Sequence, residues 1–209
     1  MRWGQAKPLA ARLAAGLVAL VLLAWAAGEV WVKSIGSTEA DFMRDFAAER
    51  SHGLVELARA VTWLGCLWVL VPFGLVSCFL LLRAGFAAQA AALAVGLVGA
   101  VLIADLAKAL VARPRPPVEH LERVSSSSFP SGHAVQASAF WLSLLLALRD
   151  AHLVRRSVIG ASVAAILVIV AVAWSRVYLG VHYPSDVIAG VALGSAWAAY
   201  ASHCIRSRV

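Results

Sequence analysis

Charge is scarce in this sequence: Asp, Glu, Lys and Arg supply only 14% of its 209 residues, against 62% hydrophobic ones. A soluble domain carries roughly a quarter charged residues, so a water-facing globular surface cannot be assembled from this composition. Acids are scarcer still, 11 against 18 Lys and Arg, which leaves no carboxylate cluster of the kind that holds magnesium or calcium. The three cysteines, Cys66, Cys78 and Cys204, lie in apolar stretches without metal-ligand or disulfide-framework spacing and read as inert packing residues. No internal repeat, low-complexity tract or flexible linker divides the chain, so residues 1–209 read as one membrane-embedded domain. The net charge of +7 raises nucleic acid as a partner, but the cations are dispersed among short loops beside apolar runs, which excludes it.

Apolar residues are what the chain has in abundance. Stretches long enough to cross a hydrocarbon core of about 30 Å, which takes roughly 20 helical residues, run over 60–82, 84–104, 157–175 and 187–205. Two shorter ones, 13–28 and 133–148, complete the crossing when their flanks are included. The fold class that follows is all-α, a polytopic membrane bundle of six transmembrane helices. Arg2, Lys7 and Arg12 ahead of an apolar run ending at Ala24, Ala26 and Ala27 also fit a cleaved signal segment; the six-span reading keeps that run as the first helix. Gly96, Gly99, Gly190 and Gly194 are placed for close helix packing.

Orientation follows from counting cations. Arg2, Lys7, Arg12, Arg83, Arg149, Arg155, Arg156, Arg206 and Arg208 fall in the termini and even loops, opposed only by Asp150. By the positive-inside rule both termini are cytoplasmic, in a multi-pass protein of the inner (plasma) membrane. In the first outer loop Phe42 and Phe46 recur at i and i+4, with Asp41, Asp45 and Glu49 on a second row, which predicts a short amphipathic helix on the membrane surface.

The other two outer loops share one side of the membrane and are rich in groups that bind or attack phosphate. Ser131 is a favourable helix N-cap, and Gly132 after it permits close backbone approach, so Pro130-Ser131-Gly132-His133 offers unpaired N–H groups and the positive helix end to an anion. His133 adds a proton donor there. In the last loop, Tyr183-Pro184 marks a helix start. His182 therefore sits just outside the helix that Asp186 joins, where a carboxylate can fix the imidazole tautomer and leave the other nitrogen as a nucleophile. Arg176 is near enough along the chain to turn back on the same anion. Lys108 lies just past the third span, and Arg113 and Arg115 alternate with prolines in a stiff segment. Each group also has an ordinary reading, as helix cap, surface ion pair or snorkelling cation; one anion site accounts for them together.

At these residues the chain resembles the type 2 phosphatidic acid phosphatase superfamily. Its three signatures stand here as Lys108 with Arg115-Pro116, as Pro130-Ser131-Gly132-His133, and as Ser175-Arg176 with His182 and Asp186, in the right order and spacing. The resemblance implies that His182 is the nucleophile, Asp186 its orienting partner and His133 the acid and base. It implies too that Lys108, Arg115, Ser131, Gly132 and Arg176 hold the phosphate, with no metal or other cofactor. Arg113 falls outside the signature and has no role assigned. The activity expected is removal of phosphate from a lipid phosphate or diphosphate, with undecaprenyl diphosphate ahead of phosphatidate and phosphatidylglycerophosphate, and with no obligate protein partner. Soluble vanadium haloperoxidases share the signatures, but six apolar spans argue against that branch. A lipid phosphotransferase and a non-catalytic lipid-phosphate transporter or scaffold remain as alternatives.

Overall fold

The computed structural model describes residues 8–153 and 157–207. Arg2, Lys7, Arg155, Arg156 and Arg208, counted above for orientation, lie outside the described residues. Within them the chain is all-helical: α1 Leu9–Ala48, α2 His52–Thr62, α3 Leu67–Arg83, α4 Ala87–Val111, α5 Gly132–Asp150, α6 Val158–Tyr178 and α7 Pro184–Arg206. Helices α1, α4, α6 and α7 are long and apolar enough to cross a membrane, and the α2–α3 pair makes a fifth crossing if its bend is spanned as one unit. Helix α5 is less apolar, because His133, Gln136 and Arg149 are among its 19 residues, yet it packs among α4, α6 and α7 with Val135 and Phe140 fully buried. The six-helix expectation is thus met in its class and only partly in its count.

Side chains facing outward confirm the medium. Leu75, Phe79, Ile159, Ile166 and Val170 stand more than half exposed on α3 and α6. A continuous apolar belt of this kind costs about 25 cal/mol per Å² in water and nothing in lipid. The chain is a membrane protein.

Two expectations are corrected. The first span and the surface helix are one helix: α1 runs 40 residues without a break, about 60 Å at 1.5 Å per residue, twice the hydrocarbon thickness. No proline interrupts it, an exposed Glu29–Lys33 pair at 3.0 Å supports its middle, and Gly28 is tolerated because a Cβ there would lie 2.8 Å from Val111. Phe46 meets Tyr178 edge-on and serves protein packing, while Phe42, stacked on Phe46 at 5.4 Å, stays 46% exposed. The second expected span, 60–82, is bent by 43° at a single 3-10 turn, Trp63–Gly65. Gly65 passes so close to α5 and α6 that a Cβ would lie 2.7 Å from Val172 and 3.0 Å from the His133 carbonyl. Trp141 Nε1 donates to the Leu64 carbonyl at 3.0 Å, satisfying a group that the bend frees.

The interface that positions the site is α5 against α7. A Cβ on Gly190 would come within 2.8 Å of Ala134, and one on Gly194 within 2.3 Å of the Val135 carbonyl. Only the missing side chains let the two backbones touch. Gly96 and Gly99 do the same for α4, against Ser143 and the Trp197 ring. The N-termini of α5 and α7 are thereby brought side by side, and the Ser131 N–H donates to the Asp186 carbonyl at 3.0 Å.

Candidate active site

Three connections converge where α4 ends and α5 and α7 begin. Residues 112–131 leave α4 through Ala112, whose left-handed φ of 48° ends the helix. This segment folds back on the α6–α7 turn: Leu121 N–H donates to the Leu179 carbonyl at 3.0 Å, and Arg50 Nη1 donates to the Glu119 carbonyl at 3.0 Å. Gly180 makes that approach with φ of 77°, and a Cβ on it would lie 2.7 Å from the Glu119 carbonyl.

The fold brings most of the expected residues together. His182 is buried, with its Nε2 3.4 Å from Arg115 Nη1 and its Nδ1 3.5 Å from Asp186 Oδ2. A guanidinium only donates, so Nε2 presents its lone pair towards Arg115 and the proton sits on Nδ1, facing the carboxylate. The 3.5 Å separation exceeds a normal hydrogen bond, and Nδ1 has no hydrogen-bond partner among the described residues. Oδ2 is already taken, by Ser128 Oγ at 2.5 Å and the Tyr183 N–H at 2.9 Å. Asp186 therefore lies behind the imidazole as expected, but as a charge rather than as a formed acceptor. Burial pushes the His182 pKa down to about 4, with Asp186 acting in the opposite sense. The ring is neutral at physiological pH.

Around it, Lys108 Nζ donates to the Ser127 carbonyl at 2.7 Å, and Lys108 Cε is 3.7 Å from where a Cβ on Gly132 would sit. Ser131 occupies the N-cap of α5 without making a capping bond, and its buried Oγ is unpartnered. A buried hydroxyl at a helix N-terminus can donate to an anion bound there. His133 follows in the first turn, half-buried. Arg115 spans the two loops, its Nε on the Ser126 carbonyl at 2.9 Å and its Nη1 on the Val181 carbonyl. Arg176 is buried and committed: Nη1 donates to Thr62 Oγ1 at 2.7 Å and to Glu122 Oε2 at 2.6 Å. No hydrogen bond joins His133 or Arg176 to His182 among the described residues.

Sequence reasoning missed a second layer. Arg113 is buried, its Nη1 on Asp186 Oδ1 at 2.7 Å and on Ser185 Oγ at 2.7 Å, its Nη2 on Glu39 Oε2 at 2.8 Å. Its guanidinium carbon lies 4.0 Å from the centre of the Tyr183 ring. Glu39, in the stretch between the first and second expected spans, is 8% exposed. A signal existed: at intervals of four, three, four and three, Val32, Gly36, Glu39, Met43 and Phe46 form one helical row, apolar except for that carboxylate.

Comparison with known proteins fits this arrangement. The family model of the PAP2 superfamily matches residues 89–209, more than half of the chain. The chain belongs to the PAP2 superfamily. An undecaprenyl-diphosphatase of Sulfolobus acidocaldarius is 36% identical over 121 residues, 55% of this chain and 54% of that protein. The matched stretch thus spans about half of that relative. A lipid A 1-phosphatase of Rhizobium etli is 31% identical over 71% of this chain and 70% of its own length. Among solved structures, a transmembrane PAP2 type phosphatidylglycerolphosphate phosphatase from Bacillus subtilis superposes with a TM-score of 0.81 at 22% identity, covering 92% of this chain and 96% of that one. The PAP2 fold therefore extends beyond the matched residues to α1, which carries Glu39.

Proposed function

We propose that this PAP2 protein is an integral membrane phosphatase that hydrolyses a lipid phosphate or diphosphate through a phosphohistidine. The observation that carries the reading is the His182 ring, neutral, with Nε2 facing only the Arg115 guanidinium. In the proposed reaction Nε2 attacks phosphorus in line, and the P–O bond to the leaving group breaks as His133 gives that oxygen a proton. Lys108, Arg115, Arg176, the Ser131 hydroxyl and the N–H groups at Gly132 and His133 neutralise the equatorial oxygens, which is the main demand of phosphoryl transfer. Water then attacks phosphorus, giving its proton to His133; the P–N bond breaks, its electron pair returns to His182 Nε2, and phosphate is released. For Arg176 to reach the substrate it exchanges the Glu122 carboxylate for phosphate, one anion for another at the same guanidinium.

The domain is residues 1–209, crossing the membrane six times with α5 as the shielded crossing. As substrate, a polyprenyl diphosphate such as undecaprenyl diphosphate stands slightly ahead of phosphatidate and phosphatidylglycerophosphate. The relatives' names include an undecaprenyl-diphosphatase and a phosphatidylglycerolphosphate phosphatase, and an apolar groove lined by Leu20, Ala24, Trp31, Phe129 and Leu193 suits a long tail. Purified protein with each of the three lipids at matched detergent dilution, in excess chelator, is expected to release phosphate, fastest from the diphosphate. Silence in chelator with recovery on magnesium would overturn the metal-independent mechanism. Transfer to a lipid acceptor in place of water would identify a phosphotransferase, and tight binding without turnover a carrier.

The site is proposed to face outward, with both termini in the cytoplasm. Of the loop positions able to report this, Ser125 and Ser157 are exposed and tolerate cysteine, whereas Ala151 is buried and would stay unlabelled on either side. With the native cysteines replaced, an impermeant thiol reagent on intact cells is expected to label Ser125→Cys and spare Ser157→Cys. The opposite pattern reverses the topology and makes the substrate a lipid of the cytoplasmic leaflet.

A further inference from the structure

Behind the site lies a closed chain of buried groups that the mechanism leaves without a task. Glu39 Oε1 accepts the Ser185 N–H at 2.8 Å, and Oε2 accepts both Ser185 Oγ at 2.6 Å and Arg113 Nη2 at 2.8 Å. Arg113 passes the connection to Asp186 Oδ1 at 2.7 Å, and Asp186 Oδ2 stands 3.5 Å from His182. The Glu39 and Arg113 side chains are 11% and 2% exposed, and Asp186 is fully buried. A carboxylate this deep is costly to keep unless it does something that a shorter apolar residue cannot.

We infer that Glu39 is a positioning residue for the reaction, holding Asp186 behind His182 through Arg113 and Ser185. The geometry gives the reason. Asp186 is the third residue of α7, so its place depends on how the first turn of that helix is fixed. Pro184 supplies no N–H, and the next donor, at Ser185, is satisfied by Glu39 rather than by a local cap. Arg113 presents two guanidinium nitrogens in one plane, one to each carboxylate, and so sets the distance between Glu39 and Asp186. Asp186 Oδ1 is thereby turned away from the imidazole and Oδ2 towards it. Since α1 carries Glu39 and none of the signature residues, this anchor ties the first helix to the catalytic end of the last. Glu39 touches neither lipid nor the reacting atoms in the proposed pose, and its influence passes only through Asp186 and His182.

The inference rests on reading His182 as the nucleophile, and its test separates the two. In Glu39→Gln one carboxylate oxygen becomes an amide, so either the Arg113 or the Ser185 N–H bond is lost while size is kept. Expected is a fall in kcat of about 10- to 100-fold with KM within about threefold, since no phosphate contact is altered. ¹⁵N-histidine spectra of the free protein are expected to show His182 as a single Nδ1–H tautomer in the wild type and as a mixture in Glu39→Gln. A merely structural glutamate would lower the folded fraction and leave the tautomer alone. In single-turnover assays Glu39→Gln is expected to add little to Asp186→Asn; multiplicative losses overturn the linkage. If Glu39→Gln does not fold, Ser185→Ala carries the same measurements, because it removes one hydroxyl and leaves all three charges. An unchanged kcat and tautomer in either variant also overturns the inference. A wild type that releases no phosphate sinks the reading of function, while the spectra still decide whether Glu39 sets the His182 tautomer.

Discussion

His182→Ala is expected to cut phosphate release by at least about 10⁴-fold, the scale seen when a covalent nucleophile is removed, while lipid binding survives. The split follows from the division of labour at the site. In the proposed mechanism Lys108, Arg115, Arg176 and Ser131 remain to hold the phosphate, and none of them depends on the imidazole for a hydrogen bond except Arg115, which keeps its Ser126 and Val181 carbonyls. What disappears is the imidazole lone pair that faces Arg115. Rapid quenching of the wild type should trap an acid-labile, base-stable phosphoryl group on His182; label on any other residue overturns the assignment. The pH profile is a second check. Protonation of His182 removes the lone pair, and its pKa lies near 4 rather than at the ordinary 6.5 because the ring is buried. The acid limb of kcat/KM attributable to this residue therefore falls near pH 4, and activity should persist from about pH 7 to 5, where an exposed histidine would already be charged. A midpoint near 6.5 would mean that the attacking histidine sits in a wetter site.

The candidate catalytic residues were legible in sequence because they fall in short motifs: Ser131, Gly132 and His133 are consecutive, His182 and Asp186 are four apart across a helix start that Pro184 announces, and the family resemblance joined the two. The supporting layer was not, because it is made by contacts between distant segments. Glu39 meets Arg113 and Ser185 across 74 and 146 residues, and Arg176 meets Glu122 and Thr62 across 54 and 114. No motif marks Glu39, and only its place in an otherwise apolar helical row distinguishes it. The apolar runs were likewise enough to find helices but not to end them. Nothing in residues 29–48 is apolar enough to be a span, yet nothing in them stops a helix either, so α1 continues. In 60–82 hydropathy is unbroken, and the bend at Gly65 comes from its close approach to Val172 and His133. Hydropathy measures transfer to lipid; it carries no information about which backbone must come near another.

Arg113→Ala should show the difference between the two layers most plainly, by unfolding the protein before it weakens substrate binding. Arg113 is the cation between two buried carboxylates, Glu39 and Asp186, and its removal leaves both without a counter-charge in a site with 0% and 11% side-chain exposure. Breaking a buried pair by deleting one partner costs about 3–5 kcal/mol, a large share of the roughly 5–15 kcal/mol that separates folded from unfolded chains. Two neighbouring losses add to it: Ser185 Oγ loses a donor, and Tyr183 loses the guanidinium over its ring. Arg113→Lys restores the charge but not the planar pair of nitrogens, so it should recover much of the stability and little of the turnover. Arg115→Ala should behave in the opposite way. Its bonds are to loop carbonyls and to His182 Nε2, with no carboxylate left stranded, so the unfolding temperature should move little while KM and orthovanadate affinity suffer. Tryptophan fluorescence during thermal unfolding in detergent, run beside lipid kinetics on the same preparations, reads both quantities. If Arg113→Ala keeps the wild-type unfolding temperature and loses only affinity, Arg113 is one more cation on the phosphate, and the buried bridge from α1 to the start of α7 carries no stability of its own.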